Sequence, residues 1–433
     1  MKTHPYGRDM NYILIFLSKV YENSKTLTAV TFITFLNMSV AQGVELNIRA
    51  EFKPDPAAPY LNKFENKTPL SGYCLYNPSD CVNTGMFSLR APIAFTSTHP
   101  IIANHSDPRQ GAVFNIPTQW RELFVTHVQT GQQETLRIRI TGFGSQYRSS
   151  QDIRLLVNGG LPGIDSFPAH YMLWVGGRWN AAPSPCQAAS NFNSSYNQWD
   201  YVFFWKTTVQ APCKKQAQFN IPEFRYNYTD FAYEIETPNP LGMATGDYLG
   251  NYIYTLGPGK DFDMGDVMIP NDPVLSLNFT LNVQHTLKVL IPSGGQKVEL
   301  LPRDGWQQWV NTGRNPEKLY RDQTAVISAS SRFKMQLACE QVSGDTCAIS
   351  NGSHAVPVDV MVSLPNGIGN EDGSAVNFKP LGIAAVQIFE PTFYVDSKPS
   401  TLHFEIKKVY VEEMLLRQGK YSGNITVIWD SEL

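Results

Sequence analysis

Charge is scarce in this chain. Charged residues make up 17% of it, against about a quarter in a typical soluble protein, and the formal net charge is -3. Without a basic excess there is nothing to draw a phosphate backbone or an anionic membrane, so no nucleic-acid partner is expected. Long apolar runs are also rare. The run Leu27 to Val40 is too short and too weakly flanked for a spanning helix. Lys19 and Lys25 precede it, and Ser39-Val40-Ala41 closes it as a small-x-small cleavage site. That is the grammar of an export signal with a long leader, so residues 1–41 are expected to be removed and Gln42 to lead the mature chain.

Catalytic signatures are missing as well. The chain has no G-x-S-x-G, no H-E-x-x-H and no phosphate-binding loop; Gly257-Pro258-Gly259-Lys260 lacks the upstream glycine and the following hydroxyl. Gly367-Ile368-Gly369 has the wrong spacing for a dinucleotide turn and reads as a hairpin. Histidines are scattered. No cysteine pair has C-x2-C spacing, which argues against zinc. The best acidic cluster, Asp261 to Asp266, lacks the distal glutamate of a calcium loop and reads as a solvated turn. No cofactor and no metal are expected.

What is present points to strands. Helical periodicity is almost absent, whereas Leu136-Arg137-Ile138-Arg139-Ile140 and Leu275 to Val283 alternate with a period of two. Lys334 to Leu337, Val358 to Leu364 and Leu402 to Ile406 continue the pattern, and 31 glycines with 29 prolines supply turns. Many short strands with such turns mean an all-β protein, and two immunoglobulin-like sandwiches are expected. Gly246-Asp247-Tyr248-Leu249-Gly250-Asn251 is echoed by Gly419-Lys420-Tyr421-Ser422-Gly423-Asn424, and both run into a strand. The echo suggests that each sandwich closes on a similar strand, with the tyrosine hydroxyl reaching backbone. Ser293-Gly294-Gly295 after Pro292 reads as a linker, which places the domains at 42–292 and 294–433.

Six cysteines fall as close neighbours: Cys74 with Cys81, Cys186 with Cys213, Cys339 with Cys347. Other connectivities are open in principle, but local pairing is preferred in an exported chain. Trp174 and Trp179 stand in an aromatic stretch from Tyr171, followed by Tyr196, Trp199, Tyr201 and Trp205. Rings beside amides suit sugar recognition, and rings inside a sandwich suit core packing; the sequence leaves both readings open, and Trp174 and Trp179 are the receptor candidates.

The chain from about residue 180 onward resembles the tip adhesin and pilus-initiator family of colonisation-factor (class 5) and cable-type chaperone–usher fimbriae. The resemblance rests on Cys186 with Cys213-Lys214-Lys215, Tyr233 to Leu241, Gly246 to Asp266, Gly305-Trp306 with Trp309, Cys339 with Cys347-Ala348-Ile349, Val356-Pro357-Val358 and the closing Tyr421 to Trp429. It implies an N-terminal receptor-binding domain and a C-terminal pilin sandwich that lacks its last strand. A periplasmic chaperone, then the N-terminal strand of the major pilin, fills that gap as an outer-membrane usher assembles the pilus. It also implies export to a fimbrial tip and a host receptor, expected to be carbohydrate. Lys67, near Cys74, and Lys260 are the candidates for the family's basic receptor pocket. Tyr421, Ile425, Val427 and Trp429 share one face of the closing strand and are expected to line the donor groove. The competing readings are a secreted carbohydrate-active enzyme on a β-sandwich and a non-adhesive minor pilin.

Overall fold

The computed structural model describes residues 43–189, 195–417 and 419–431. The apolar run and its cleavage motif lie outside them. Strands dominate, and the protein is all-β. Among the described residues its strands enclose two large cores, one built from Ile48 through Val283 and one from Leu319 through Val411, and a small cluster around Tyr73, Cys74, Cys81 and Phe204.

A thirteen-stranded sheet bends around the first core. Its spine is the strand Gln133–Ser149, long enough to serve both walls. The early half pairs with Arg121–His127 and Thr229–Glu236; the late half pairs with Asp200–Lys206 and Phe224–Tyr226. Two glycines permit this crowding. A Cβ on Gly144 would lie 2.5 Å from the Phe203 carbonyl oxygen, and one on Gly142 would lie 2.7 Å from the Phe204 ring. The strand Val44–Phe52 runs parallel to Val274–Val283, whose alternate residues Leu275, Leu277, Phe279, Leu281 and Val283 are all buried, as the period of two requires.

The expected echo holds once. Tyr248 is buried and its hydroxyl accepts from the Ala244 amide at 2.8 Å. Tyr421 is only half-buried and its hydroxyl meets the His354 imidazole instead. Nor does the Gly246–Thr255 strand close its sheet, because Val274–Val283 follows and pairs with it. The change from one sheet system to the other also comes earlier than the linker composition suggests. Leu287–Leu290 already pairs with Val326–Ala329 of the second sandwich. The junction is Gln284 to Thr286, where His285 contacts the Met243 carbonyl and the Ser330 hydroxyl. Ser293-Gly294-Gly295 is therefore a turn within the second sandwich, where solvent exposure favours the same residues as in a linker.

All three local cysteine pairs form disulfides: Cys74–Cys81, Cys186–Cys213 and Cys339–Cys347. Cys186–Cys213 ties the loop after the aromatic stretch to the strand Cys213–Lys215.

Aromatics fill the first core. Tyr147 and Tyr226 are fully buried, and burial pushes both hydroxyls well above the usual tyrosine range. Tyr228 is pushed up to about 12, first by burial and then by Asp230. A tyrosine whose folded-state pKa exceeds its unfolded value of about 10 supports folding fully below that pH and less above it. Melting temperature is therefore expected to fall steeply as pH rises from about 10 to 12. Ultraviolet titration that ionised every tyrosine near pH 10 without unfolding would contradict this.

Candidate functional site

Two regions combine exposure with unfinished packing. One is a seam along the second sandwich. The closing strand Ile425–Ser431 pairs with Phe333–Cys339 on one side, and among the described residues it ends its sheet. Ile425, Val427 and Trp429 face inward, and Trp429 stacks on Phe333 with centroids 6.0 Å apart. These three, with Tyr421, are only partly buried, whereas Val356, Val358, Val360 and Val362 in a central strand are 0–1% exposed. The expected face thus points at the core, but its cover is incomplete. Across the seam, Leu287–Leu290 is the last described strand of the opposite sheet, and its Leu287 and Val289 also pack half-buried on the core. The two edges come within 8 Å between Cα atoms. Leu287 and Val289 were missed from sequence because the expected boundary assigned them to the first domain.

The other region lies at the aromatic stretch. Trp174 and Trp179, the sequence candidates for ring stacking on a receptor, are both 0% exposed. Trp179 sits among Phe114, Phe203 and Trp205, so these rings present no face to a ligand. Their neighbours do. Tyr171 is 57% exposed at the end of the helix Ser166–Leu173. With Met172, Gly176, Gly177, Gln218 and Phe219, and with the buried Trp174 behind them, it lines a pocket of about 330 Å³. The chain leaves the helix extended at Trp174, bridges Ala217, and turns at Gly176 and Gly177, both with φ near +75°. Lys215 holds that turn. It is 3% exposed, and its ammonium donates to the carbonyls of Gly177 and Arg178 at 3.0 Å. Burial pushes its pKa down to about 8.

Lys67 and Lys260 are not brought together. Lys67 is ion-paired with Glu65 at 2.7 Å beside the Val44–Phe52 strand, and Lys260 is exposed in the turn after Thr255. The pocket where cations do gather is a different one, of about 190 Å³, lined by Thr84, Thr118, Arg139, Lys206 and Glu234 among others. There Arg139 is bonded to Glu234, and Lys206 lies 3.8 Å from Asp80.

Asp261 to Asp266 is an arginine-held turn. Arg109 pairs with both Asp263 and Asp266, and Asp261 accepts from Thr255. One constellation resembles a hydrolase triad: His403 bonds Ser363 through Nε2 at 2.8 Å and Asp322 through Nδ1 at 2.7 Å. A nucleophile needs open approach and oxyanion donors. Here the Phe378 ring stacks on the imidazole, centroids 4.1 Å apart, and the Phe378 amide already donates to the Ser363 oxygen. The group clamps a loop onto the outer sheet face.

No family model matches this chain, and no curated protein does. Several solved structures align with most of it, among them the following three. The adhesive subunit of CFA/I fimbriae of enterotoxigenic Escherichia coli is 10% identical, with 90% of this chain and 95% of that one covered and a TM-score of 0.25. A chaperone–tip adhesin complex of CFA/I fimbriae gives 9%, 90%, 97% and 0.25. The CsuC–CsuE chaperone–tip adhesion subunit complex of Acinetobacter baumannii gives 10%, 89%, 99% and 0.21. At these scores the likeness assigns neither function nor partner.

Proposed function

We propose that the protein is the adhesive tip subunit of a chaperone–usher pilus, acting by binding and not by catalysis. The observation that carries this reading is the seam between Leu287–Leu290 and Ile425–Ser431. Two sheet edges face each other there over a core whose inward side chains are half-covered. An unpaired edge above an apolar groove is an aggregation hazard that a protein keeps only if something fills it. One added strand would bond the backbone edge of Ile425–Ser431 that no described strand pairs, and seat alternate side chains on Val427, Trp429, Leu287 and Val289. In this reading a periplasmic chaperone supplies that strand first and the next pilin's N-terminal segment replaces it at the usher. The Val44–Phe52 strand is engaged in its own sheet and is not the donor segment. The first sandwich is then the part that meets a host receptor.

Hydrogen exchange tests the groove. Those backbone amides of Ile425–Ser431 that point away from Phe333–Cys339 are expected to exchange quickly in the lone chain and to gain protection when a strand-donating chaperone or pilin peptide is added. Outward amides already protected in the lone chain and unchanged by the donor would refute the seam as an assembly site.

A further inference from the structure

We propose that the pocket around Tyr171 and Gly177 binds one uncharged pyranose ring of a receptor glycan. This rests on reading the first sandwich as the binding part of the protein. Five observations converge on the site. Tyr171 offers an aromatic surface, exposed by more than half, next to Met172 and Phe219. Such a surface suits the apolar face of a sugar ring. Gln218 supplies an amide with both donor and acceptor capacity for sugar hydroxyls. None of the lining side chains is charged, so nothing selects an acidic or basic sugar. At about 330 Å³ the pocket lies at the small end of ligand sites, which suits a single ring.

The fifth observation is that the site is preorganised. A Cβ on Gly177 would fall 2.6 Å from the Tyr171 ring, so the ring rests directly against this glycine. The glycine turn is in turn fixed from behind by Lys215, a buried cation whose hydrogen bonds go to carbonyls of that turn. Cys213, two residues before Lys215, anchors the same strand by disulfide to Cys186. A loop held this firmly loses little freedom on binding, which favours recognition of a small ligand.

The test uses the purified full chain and saturation-transfer NMR with three probes: methyl β-galactopyranoside, methyl β-glucopyranoside and N-acetylneuraminic acid. At least one uncharged glycoside is expected to show transfer. Tyr171→Ala should weaken its binding by about tenfold, the worth of one aromatic contact. Gly177→Ala should weaken it too by displacing the ring, and Gln218→Ala by removing the amide. Lys206→Met, in the pocket that also holds Arg139, should leave it unchanged. Melting curves show that each variant is folded. Transfer to N-acetylneuraminic acid alone, no transfer to any probe, or a folded Tyr171→Ala chain that binds like the parent would overturn the proposal. Adhesion to cultured host cells, measured in parallel, separates the two readings. Adhesion that survives Tyr171→Ala overturns the pocket and leaves the adhesin reading intact, whereas joint loss of adhesion and sugar binding supports the pocket.

Discussion

A donor strand fused after the closing strand is expected to raise the melting temperature of the second sandwich by on the order of 10–40 °C. Three or four apolar donor side chains would be removed from water in the seam, at about 1.5–3 kcal/mol each, and this is an upper estimate because the unfolded chain is already partly compact. For a sandwich of this size each kcal/mol shifts the midpoint by about 2–4 °C. The same strand would pair the free backbone edge of Ile425–Ser431. Val427→Asp gives the internal check. Val427 is only half-buried in the lone chain, so a carboxylate there can turn toward solvent, and the cost to the lone chain should stay near 1–2 kcal/mol. With the donor in place that carboxylate would be buried without a partner, so the fused strand should stabilise the variant far less. Calorimetry of the four proteins decides the matter. A parent chain that gains nothing from the fusion, or a Val427→Asp chain that gains as much as the parent, would remove the incomplete-sandwich reading.

The sequence pattern was most legible where one face of a strand meets a core. Leu275 to Val283 alternates without a break, and its structure alternates likewise. Ile425, Val427 and Trp429 were legible as one face for the same reason, whereas Tyr421, expected on the same strand, precedes it and packs on the core from the preceding loop. How deeply that face is buried was not legible, because burial depends on what packs beside the strand and not on its own alternation. Short-range pairing of the cysteines, preferred from their spacing and the expected export among connectivities that the sequence left open, is the pairing the structure has. The change of sheet before Leu287 was not legible, because Ser-Gly-Gly composition reports exposure and not strand pairing. The helix Lys408–Arg417 passed unnoticed although Tyr410, Val411, Met414 and Leu415 recur at helical spacing, since ten residues between strands give a weak periodic signal. The burial of Lys215 carried no signal, although the residue belongs to the Cys213-Lys214-Lys215 motif. Nothing in its neighbourhood along the chain shows that its ammonium will be buried against Gly177 and Arg178.

Trp179→Ala is expected to destabilise the first sandwich by about 3–5 kcal/mol, enough to lose most of the folded population of a marginally stable domain. The ring touches Phe114, Tyr147, Trp174, Phe203, Trp205 and Phe224 at centroid distances of 4.6 to 6.1 Å, and its backbone carbonyl accepts from the Trp205 indole. Removing it would leave a void that this many stiff rings cannot close. Tyr171→Ala should cost under about 1 kcal/mol, because most of that ring is already in water. The pair separates two roles that the sequence places eight residues apart in one aromatic run. Along the run, composition is uniform; across it, the turn at Gly176 and Gly177 lies between an outward ring and an inward one. Urea denaturation followed by near-ultraviolet circular dichroism measures both costs. If Trp179→Ala melted like the parent while Tyr171→Ala collapsed the fold, the assignment of Trp179 to the core and Tyr171 to the pocket would be reversed.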